Sequence, residues 1–310
     1  MITINGKQIE KHHFPDGTQR LTDIPFFDYL DKNGHIDDIE VWEFDTYHEN
    51  SDYDRMLITW KYESDEELFT LYCIVRHIKE NFKGHFSRLD LQLDYIPNAR
   101  MDRVKSRSEV FTLKYFCEVI NLMGFDNVYV LDPHSDVSAA LINNVRILPF
   151  TKIYDKFIVD VISQKEKDKS FKDNVVFYVP DAGSCKRYSS LEYYNIPFVH
   201  GEKKRDWKTG KIEGLDIITN GVDLTGKTVI MIDDIISYGG TFYYSAKELK
   251  KAGVSKIYAF VTHTENSVFS KNGTFKKCLE DGTVECLCTT DSLIDVDAIP
   301  DKYKDKVIII

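Results

Sequence analysis

No apolar run in this chain approaches the roughly 18 residues that a membrane-spanning helix needs, so no segment is expected to cross a bilayer. A signal-peptide core is missing as well, because Met1 to Lys11 mixes polar and charged residues with short apolar ones. Positive charge is in deficit. Lys and Arg number 40 against 50 Asp and Glu, the formal net charge is -10, and no basic stretch is sustained. A broad nucleic-acid-binding surface is therefore not expected, although a local cationic pocket is compatible with this balance. Cysteine is sparse. Cys73, Cys117, Cys185, Cys278, Cys286 and Cys288 form no Cys-x-x-Cys pair. That spacing argues against a metal knuckle or disulfide framework and for free thiols in a reducing cytoplasm. Low-complexity segments, visible repeats and Pro- or Ser-rich linkers are absent too. What the chain does have is size: 310 residues, 43% of them hydrophobic, enough for a large core and, by length, two domains.

The stretch Val229 to Thr241 organises the chain. Val229 to Ile232 is a short continuous apolar run, as expected of a strand covered on both faces. Asp233 and Asp234 follow, then Ser237, Tyr238, Gly239, Gly240 and Thr241, and then helical spacing from Tyr243 to Lys251. The glycines permit a tight turn and close backbone approach to a ligand. A loop of backbone N–H groups at a helix start suits a phosphate, and adjacent carboxylates suit sugar hydroxyls or a magnesium-bound ligand. Together they point to a phosphorylated pentose; an ordinary strand–turn–helix with solvated acids is the alternative.

The rest of the chain alternates strands and helices. Met1 to Asp23 reads as strands around a Pro15-Asp16-Gly17 turn. Trp42 to Phe44 and Met56 to Lys61 read as strands. Ser64 is the expected cap of a helix running to about Asn81, with Leu68, Leu71, Tyr72, Val75 and Ile78 on its apolar side. Leu89 to Tyr95 is a predicted strand, Asn98 to Ser108 a polar loop, Phe111 to Met123 a helix, and Val128 to Leu131 a strand. In the second half, Thr151 to Ser163 is predicted helical, Val175 to Val179 a strand and Ile196 to His200 another. His200 to Glu213 reads as a charged loop, and Ile257 to Thr262, Val284 to Thr289 and Val307 to Ile310 as strands. This grammar predicts two α/β domains with mostly parallel sheets, divided near residue 147.

Several segments resemble those of one family. Asp233 to Thr241 resembles the ribose-phosphate loop shared by phosphoribosyltransferases and phosphoribosyl diphosphate (PRPP) synthetases. Asn98-Ala99-Arg100-Met101-Asp102-Arg103 resembles the PRPP synthetase Ala-Arg-Gln-Asp-Arg loop, and Leu131-Asp132-Pro133-His134 resembles its Asp-Leu-His. Val179-Pro180-Asp181-Ala182-Gly183, with Lys186 and Arg187, resembles its Ser-Pro-Asp-x-Gly segment. His13-Phe14-Pro15-Asp16-Gly17 resembles its Phe-Ser-Asp-Gly-Glu turn. These matches follow the family's order from residue 13 to 263, and plain phosphoribosyltransferases share only the first. Single motifs here are weak, since a charged loop such as Asn98 to Ser108 also reads as a solvated surface; their joint occurrence is specific.

The resemblance implies two phosphoribosyltransferase-type domains, each a mostly parallel sheet flanked by helices. Residues 1–147 would form the ATP side and residues 148–310 the ribose 5-phosphate side. It implies ATP binding by Phe14, Asp16, Arg100, Asp102, Arg103 and His134, with Phe14 and Arg100 sandwiching the adenine. His134 and Asp181 would position magnesium, and Lys203 and Arg205 would be the catalytic cations. Asp233, Asp234, Ser237, Tyr238, Gly239, Gly240 and Thr241 would hold ribose 5-phosphate. A homo-oligomer with its ATP site near a subunit interface is implied as well. The chain departs from the pattern at Thr18, Met101 and Ser237-Tyr238, and in the basic spacing of Lys105 and Arg107. It also starts close to the Phe14 turn and stops at Ile310 without the family's usual final helix. These departures bear on nucleotide selectivity, oligomer type and phosphate regulation. A short, divergent form of this kind resembles the synthetases of large phages, which act in a host cytoplasm. A phosphoribosyltransferase using PRPP and a nucleobase, or a non-catalytic regulatory homologue, remain the competing readings.

Overall fold

The computed structural model describes residues 1–22, 55–82, 84, 86–157, 174–205 and 212–310. The strand expected at Trp42 to Phe44 lies outside the described residues. The chain divides into two compact units, Met1–Leu148 and Pro149–Ile310.

The first unit begins with short strands β1 (Ile2–Ile4) and β2 (Lys7–Gln8), then β3 (Glu10–His13) and β4 (Gln19–Thr22). It continues through β5 (Arg55–Trp60), helix α1 (Glu66–Asn81), β6 (Arg88–Gln92) and helix α2 (Thr112–Met123). Strand β7 (Asn127–Leu131), short helix α3 (Asp136–Ala140) and β8 (Val145–Leu148) complete it. The sheet order is β2-β1-β5-β6-β7-β8, with β5 to β8 parallel and β1 and β2 antiparallel. Strands β3 and β4 pair separately around the Pro15-Asp16-Gly17 turn. Helix α1 buries Leu71, Ile74, Val75 and Ile78 against Ile58, Leu89 and Leu91. The apolar spacing placed Tyr72 on that side, but Tyr72 is exposed. Nor does Ser64 cap the helix. It starts one residue later, behind Asp65, whose carboxylate accepts a 2.9 Å hydrogen bond from the Tyr62 hydroxyl instead of from the helix backbone.

The second unit opens with helix α4 (Phe150–Phe157); the rest of the predicted Thr151 to Ser163 helix lies outside the described residues. Strand β9 (Val175–Val179) and helix α5 (Ala182–Arg187) follow, then β10 (Phe198–Arg205), β11 (Ile212–Ile218), β12 (Thr228–Ile236) and helix α6 (Gly240–Lys251). Strand β13 (Lys256–Thr264), helix α7 (Lys276–Glu280), β14 (Leu287–Thr289), helix α8 (Asp301–Lys304) and β15 (Val307–Ile309) finish the chain. The order is β11-β10-β9-β12-β13-β14-β15, all parallel except β11. All five residues of β9 are buried, which is why it reads as an unbroken apolar run.

Two expectations need correcting here. The predicted charged loop from His200 to Glu213 is an antiparallel hairpin over its described part, with Lys203 opposite Leu215 and Arg205 opposite Ile212. Strand β10 already runs alongside β9, and the Ile212 to Ile218 return offers its backbone groups ladder partners. The charged residues do not oppose this, because β10 pairs with β9 at Phe198 to His200 and the stretch beyond them has its ladder with the edge strand β11. The second correction concerns Asp233 and Asp234, which lie inside β12 and not beyond it. Strand β13 runs on to Thr264 and pairs Asp233 with Val261 and Ile236 with Thr264.

Candidate functional site

In a parallel sheet, the loops that follow the strands gather at the carboxyl edge. In the second unit this edge carries the acid pair, the glycine loop and Asp181, because β9 and β12 are hydrogen-bonded neighbours. Strand β12 delivers Asp233 and Asp234; Ser237 and Tyr238 form the bend; Gly239 stands at φ +74° as the cap of α6, which starts at Gly240 and includes Thr241. A side chain at Gly239 would collide with its surroundings, since a Cβ there would lie 2.3 Å from the Phe275 Cβ. The loop is also tied from behind. The Tyr238 carbonyl accepts hydrogen bonds from Thr274 N (2.8 Å), Thr274 Oγ1 (3.0 Å) and Phe275 N (3.3 Å). The result is a fixed turn at the N-terminus of a twelve-residue helix, a place where backbone amides receive an anion. The Tyr238 side chain itself is exposed.

Charge at this edge is uneven. Asp234 is buried and paired with Arg187, whose Nη1 donates to its Oδ1. The Asp233 carboxyl is pushed well above the usual carboxylate range, first by burial and then by the neighbouring Asp234 carboxylate. Asp181 is exposed and caps α5, its Oδ1 accepting from Ser184 N at 3.0 Å and Ser184 Oγ at 3.2 Å. Lys203 and Arg205 lie on β10, with a register shift between Lys204 and Arg205. Sequence reasoning gave Arg187 no role, although it stands in the segment that was singled out. It also missed a buried polar network at the ends of β13 and β14. There His263 Nδ1 is 2.7 Å from Ser292 Oγ, and Thr290 Oγ1 donates to the Thr262 carbonyl at 2.7 Å. Its traces in the sequence are Thr262-His263-Thr264 at the end of one apolar run and Thr289-Thr290-Asp291-Ser292 after another.

In the first unit, the Arg100 loop and the His134 turn follow β6 and β7, which are also neighbours. Ala99 is anchored in the core, Asn98 adopts φ 63°, and Met101 N donates to the Asn98 carbonyl at 2.8 Å. Arg100 and Arg103 are exposed and Asp102 is half-buried. His134 is half-buried, just before Ser135, which caps α3 with a reciprocal bond to Ser138. Phe14 stands exposed on the β3–β4 turn. Asp16 accepts from Thr18 Oγ1 at 2.7 Å and Thr18 N at 2.9 Å, and these bonds hold its carboxyl below the ordinary value. Among the described residues, no three His, Cys, Asp or Glu side chains converge as a metal cluster, and no helix is long and apolar enough to cross a membrane.

Comparison with known proteins bears on this arrangement. Residues 213–304 match the phosphoribosyl synthetase-associated domain family. The ribose-phosphate pyrophosphokinase of Pyrococcus furiosus is 27% identical over 203 residues, 64% of this chain and 66% of that protein. The Chlorobaculum tepidum protein of the same name is 30% identical over 210 residues, 67% of this chain and 59% of that protein. The one from Saccharolobus solfataricus is 25% identical over 264 residues, covering 85% of this chain and 78% of that protein. These matches thus span from about three fifths to about three quarters of the relatives' lengths. In fold, the chain is similar to the crystal structure of phosphoribosylpyrophosphate synthetase from Mycobacterium smegmatis, with a TM-score of 0.67, 17% identity, and coverage of 98% of this chain and 85% of that one. Two mostly parallel α/β units with an acid–glycine loop at a strand end define a protein of the phosphoribosyltransferase-type fold. Within that class, the chain belongs to the ribose-phosphate pyrophosphokinase (PRPP synthetase) family.

Proposed function

We propose that the protein makes 5-phosphoribosyl 1-diphosphate from ATP and ribose 5-phosphate by diphosphoryl transfer, releasing AMP. The observation that carries this reading is the repetition of ligand-type loops in both units. The second unit holds a sugar-phosphate loop, and the first holds its own polar loops at the ends of adjacent parallel strands. A transferase that receives ready-made PRPP has no use for the second set.

On this reading residues 149–310 take the sugar phosphate. Asp233 and Asp234 meet the ribose hydroxyls, and the Ser237 to Thr241 backbone meets the 5-phosphate. Residues 1–148 take ATP, with Phe14 and Arg100 stacking on adenine and Asp16, Asp102, Arg103 and His134 holding the nucleotide. Phe14 and Asp16 stand exposed on a separate hairpin, which suits an ATP site near the interface of a homo-oligomer.

Magnesium suits the donors at hand. A magnesium ion keeps several waters and substrate phosphates, so it needs one or two carboxylates and no protein cage. Asp181 supplies such an oxygen, and the His134 imidazole, a poorer ligand for a hard cation, suits a phosphate oxygen or a metal-bound water. When bound, the ion neutralises phosphate charge. The C1 hydroxyl of the sugar attacks the β-phosphorus of ATP, and Lys203 and Arg205 offset the charge that develops on the transferring group. The cytoplasm, where ATP and free thiols coexist, is the proposed location.

The test is AMP release by purified protein. AMP should appear only when ATP, ribose 5-phosphate and a divalent metal are all present, with PRPP detected by a coupled transferase. Phe14→Ala and Arg100→Ala should each raise the ATP requirement, because a stacking contact of this kind is worth about 0.5–2 kcal/mol. Consumption of PRPP with a nucleobase, and no synthesis of it, would replace this reading with the phosphoribosyltransferase one.

A further inference from the structure

Arg187 ends helix α5, which follows β9, and its guanidinium reaches Asp234 on the neighbouring strand β12. The Asp234 side chain is 5% exposed and that of Arg187 27%. The guanidinium carbon also lies 5.9 Å from the ring centroid of Tyr188, itself buried, so the cation rests on a fixed surface. The other end of the same short helix is set by Asp181, which caps it through Ser184. Arg187 is thus held before any ligand arrives, and it holds one member of the acid pair. Asp233 is linked to Asp234 through the backbone, its Oδ1 accepting from Asp234 N at 3.1 Å.

A buried ion pair is a poor way to gain stability, since well-packed apolar residues do the same structural work at lower desolvation cost. This one sits on an acid near the carboxyl end of the central strand β12, at the sheet edge where ligands bind. We propose that Arg187 is a positioning residue for the sugar: its guanidinium fixes the Asp234 carboxylate in the orientation that receives the ribose hydroxyls, and it acts on the sugar only through Asp234. This rests on the assignment of Asp233 and Asp234 to ribose 5-phosphate. The electrostatics agree with it. The Asp233 carboxyl, raised by burial and by the Asp234 charge, is offset in part by the same guanidinium. One cation therefore differentiates two adjacent acids, leaving one fixed acceptor beside a carboxyl that holds its proton more readily.

The test is a double-mutant cycle on ribose 5-phosphate affinity. Affinity is measured by calorimetry with magnesium and a non-hydrolysable ATP analogue, alongside KM for each substrate in AMP release. R187M should weaken ribose 5-phosphate binding about 30-fold, the scale of a lost hydrogen bond to a charged group, and change the ATP KM by less than about twofold. R187M/D234N should bind no more weakly than D234N alone, because a residue that acts through another adds nothing once that other is gone. Wild-type affinity in R187M would overturn the proposal, and so would a double loss equal to the product of the single losses. If R187M does not fold, the comparison of D234N with the double variant decides alone, since the double variant leaves no unpaired buried charge. Wild-type protein that binds ribose 5-phosphate without releasing AMP removes the synthetase reading, and the affinity comparison still decides on Arg187. Wild-type protein that binds no ribose 5-phosphate overturns both.

Discussion

Replacing Gly239 by alanine asks whether the sugar-phosphate loop is a rigid cradle. Gly239 stands at φ +74°, and an added Cβ would lie 2.3 Å from the Phe275 Cβ and 3.0 Å from Ile236 Cδ1. Phe275 cannot give way easily, because it is fully buried and meets the Phe242 ring edge-on at a centroid distance of 5.8 Å. The loop cannot easily lift away, because the Tyr238 carbonyl is tied to Thr274 and Phe275. A left-handed residue with a Cβ costs about 1–2 kcal/mol, and overpacking a filled core adds about 1–3 kcal/mol. G239A should therefore destabilise the protein by about 2–5 kcal/mol. Gly282 provides the control. It stands at φ +73° with nothing within 4 Å of an added Cβ, so G282A should show the backbone part alone, about 1–2 kcal/mol. Urea unfolding of both variants measures the difference, with an unchanged m-value confirming that stability alone has moved. Equal destabilisation by the two substitutions would refute the claim that Phe275 clamps the loop.

Asp233 gives a prediction about pH. Its carboxyl titrates well above 3.8 in the folded chain, so folding retains a proton that the unfolded chain has already lost. The stability it contributes is fully present below about pH 4 and is lost as pH rises through the raised folded value. D233N should thus flatten the fall in stability above about pH 4 and be the more stable form at neutral pH; parallel urea-stability curves for the two proteins would sink this account. Lys203→Ala and Arg205→Ala should each lower turnover by roughly 100-fold or more while shifting either substrate KM far less, as lost transition-state stabilisers do. Near-normal turnover would reduce β10 and β11 to a charged edge hairpin.

The sequence alone carried much of what depends on residues close together along the chain, although not the Ser64 cap or the hairpin after His200. Val175–Val179 reads as a buried strand with the bounds the structure has, because five consecutive apolar residues leave it no solvent face. The helix after Gly240 and the helix ending at Asn81 were legible from period and composition. The acid–glycine loop was legible because turn chemistry is written in adjacent residues. Partners that meet across the fold were not. Strand β12 runs through Asp233 and Asp234 only because β13, some thirty residues later, continues beside it. A charged segment at His200 to Arg205 becomes a strand because Ile212 to Ile218 returns beside it as a hairpin, a pairing that neither the charge nor the period of the segment announces. The first unit shows the same limit at Asp90, a fully buried acid that its alternating strand does not announce. It is tolerated because Arg55 Nε at 2.8 Å and Arg88 Nε at 2.9 Å both face one of its oxygens, while Asn127 donates to the other at 2.9 Å. The contact between Arg187 and Asp234 spans 47 residues, and Phe275 under Gly239 comes from beyond the next strand. Periodicity reports which face of an element is apolar. Which buried charge finds which counter-charge is decided only when the chain closes on itself, because the cost of desolvating each group is set by neighbours that sequence distance does not reveal.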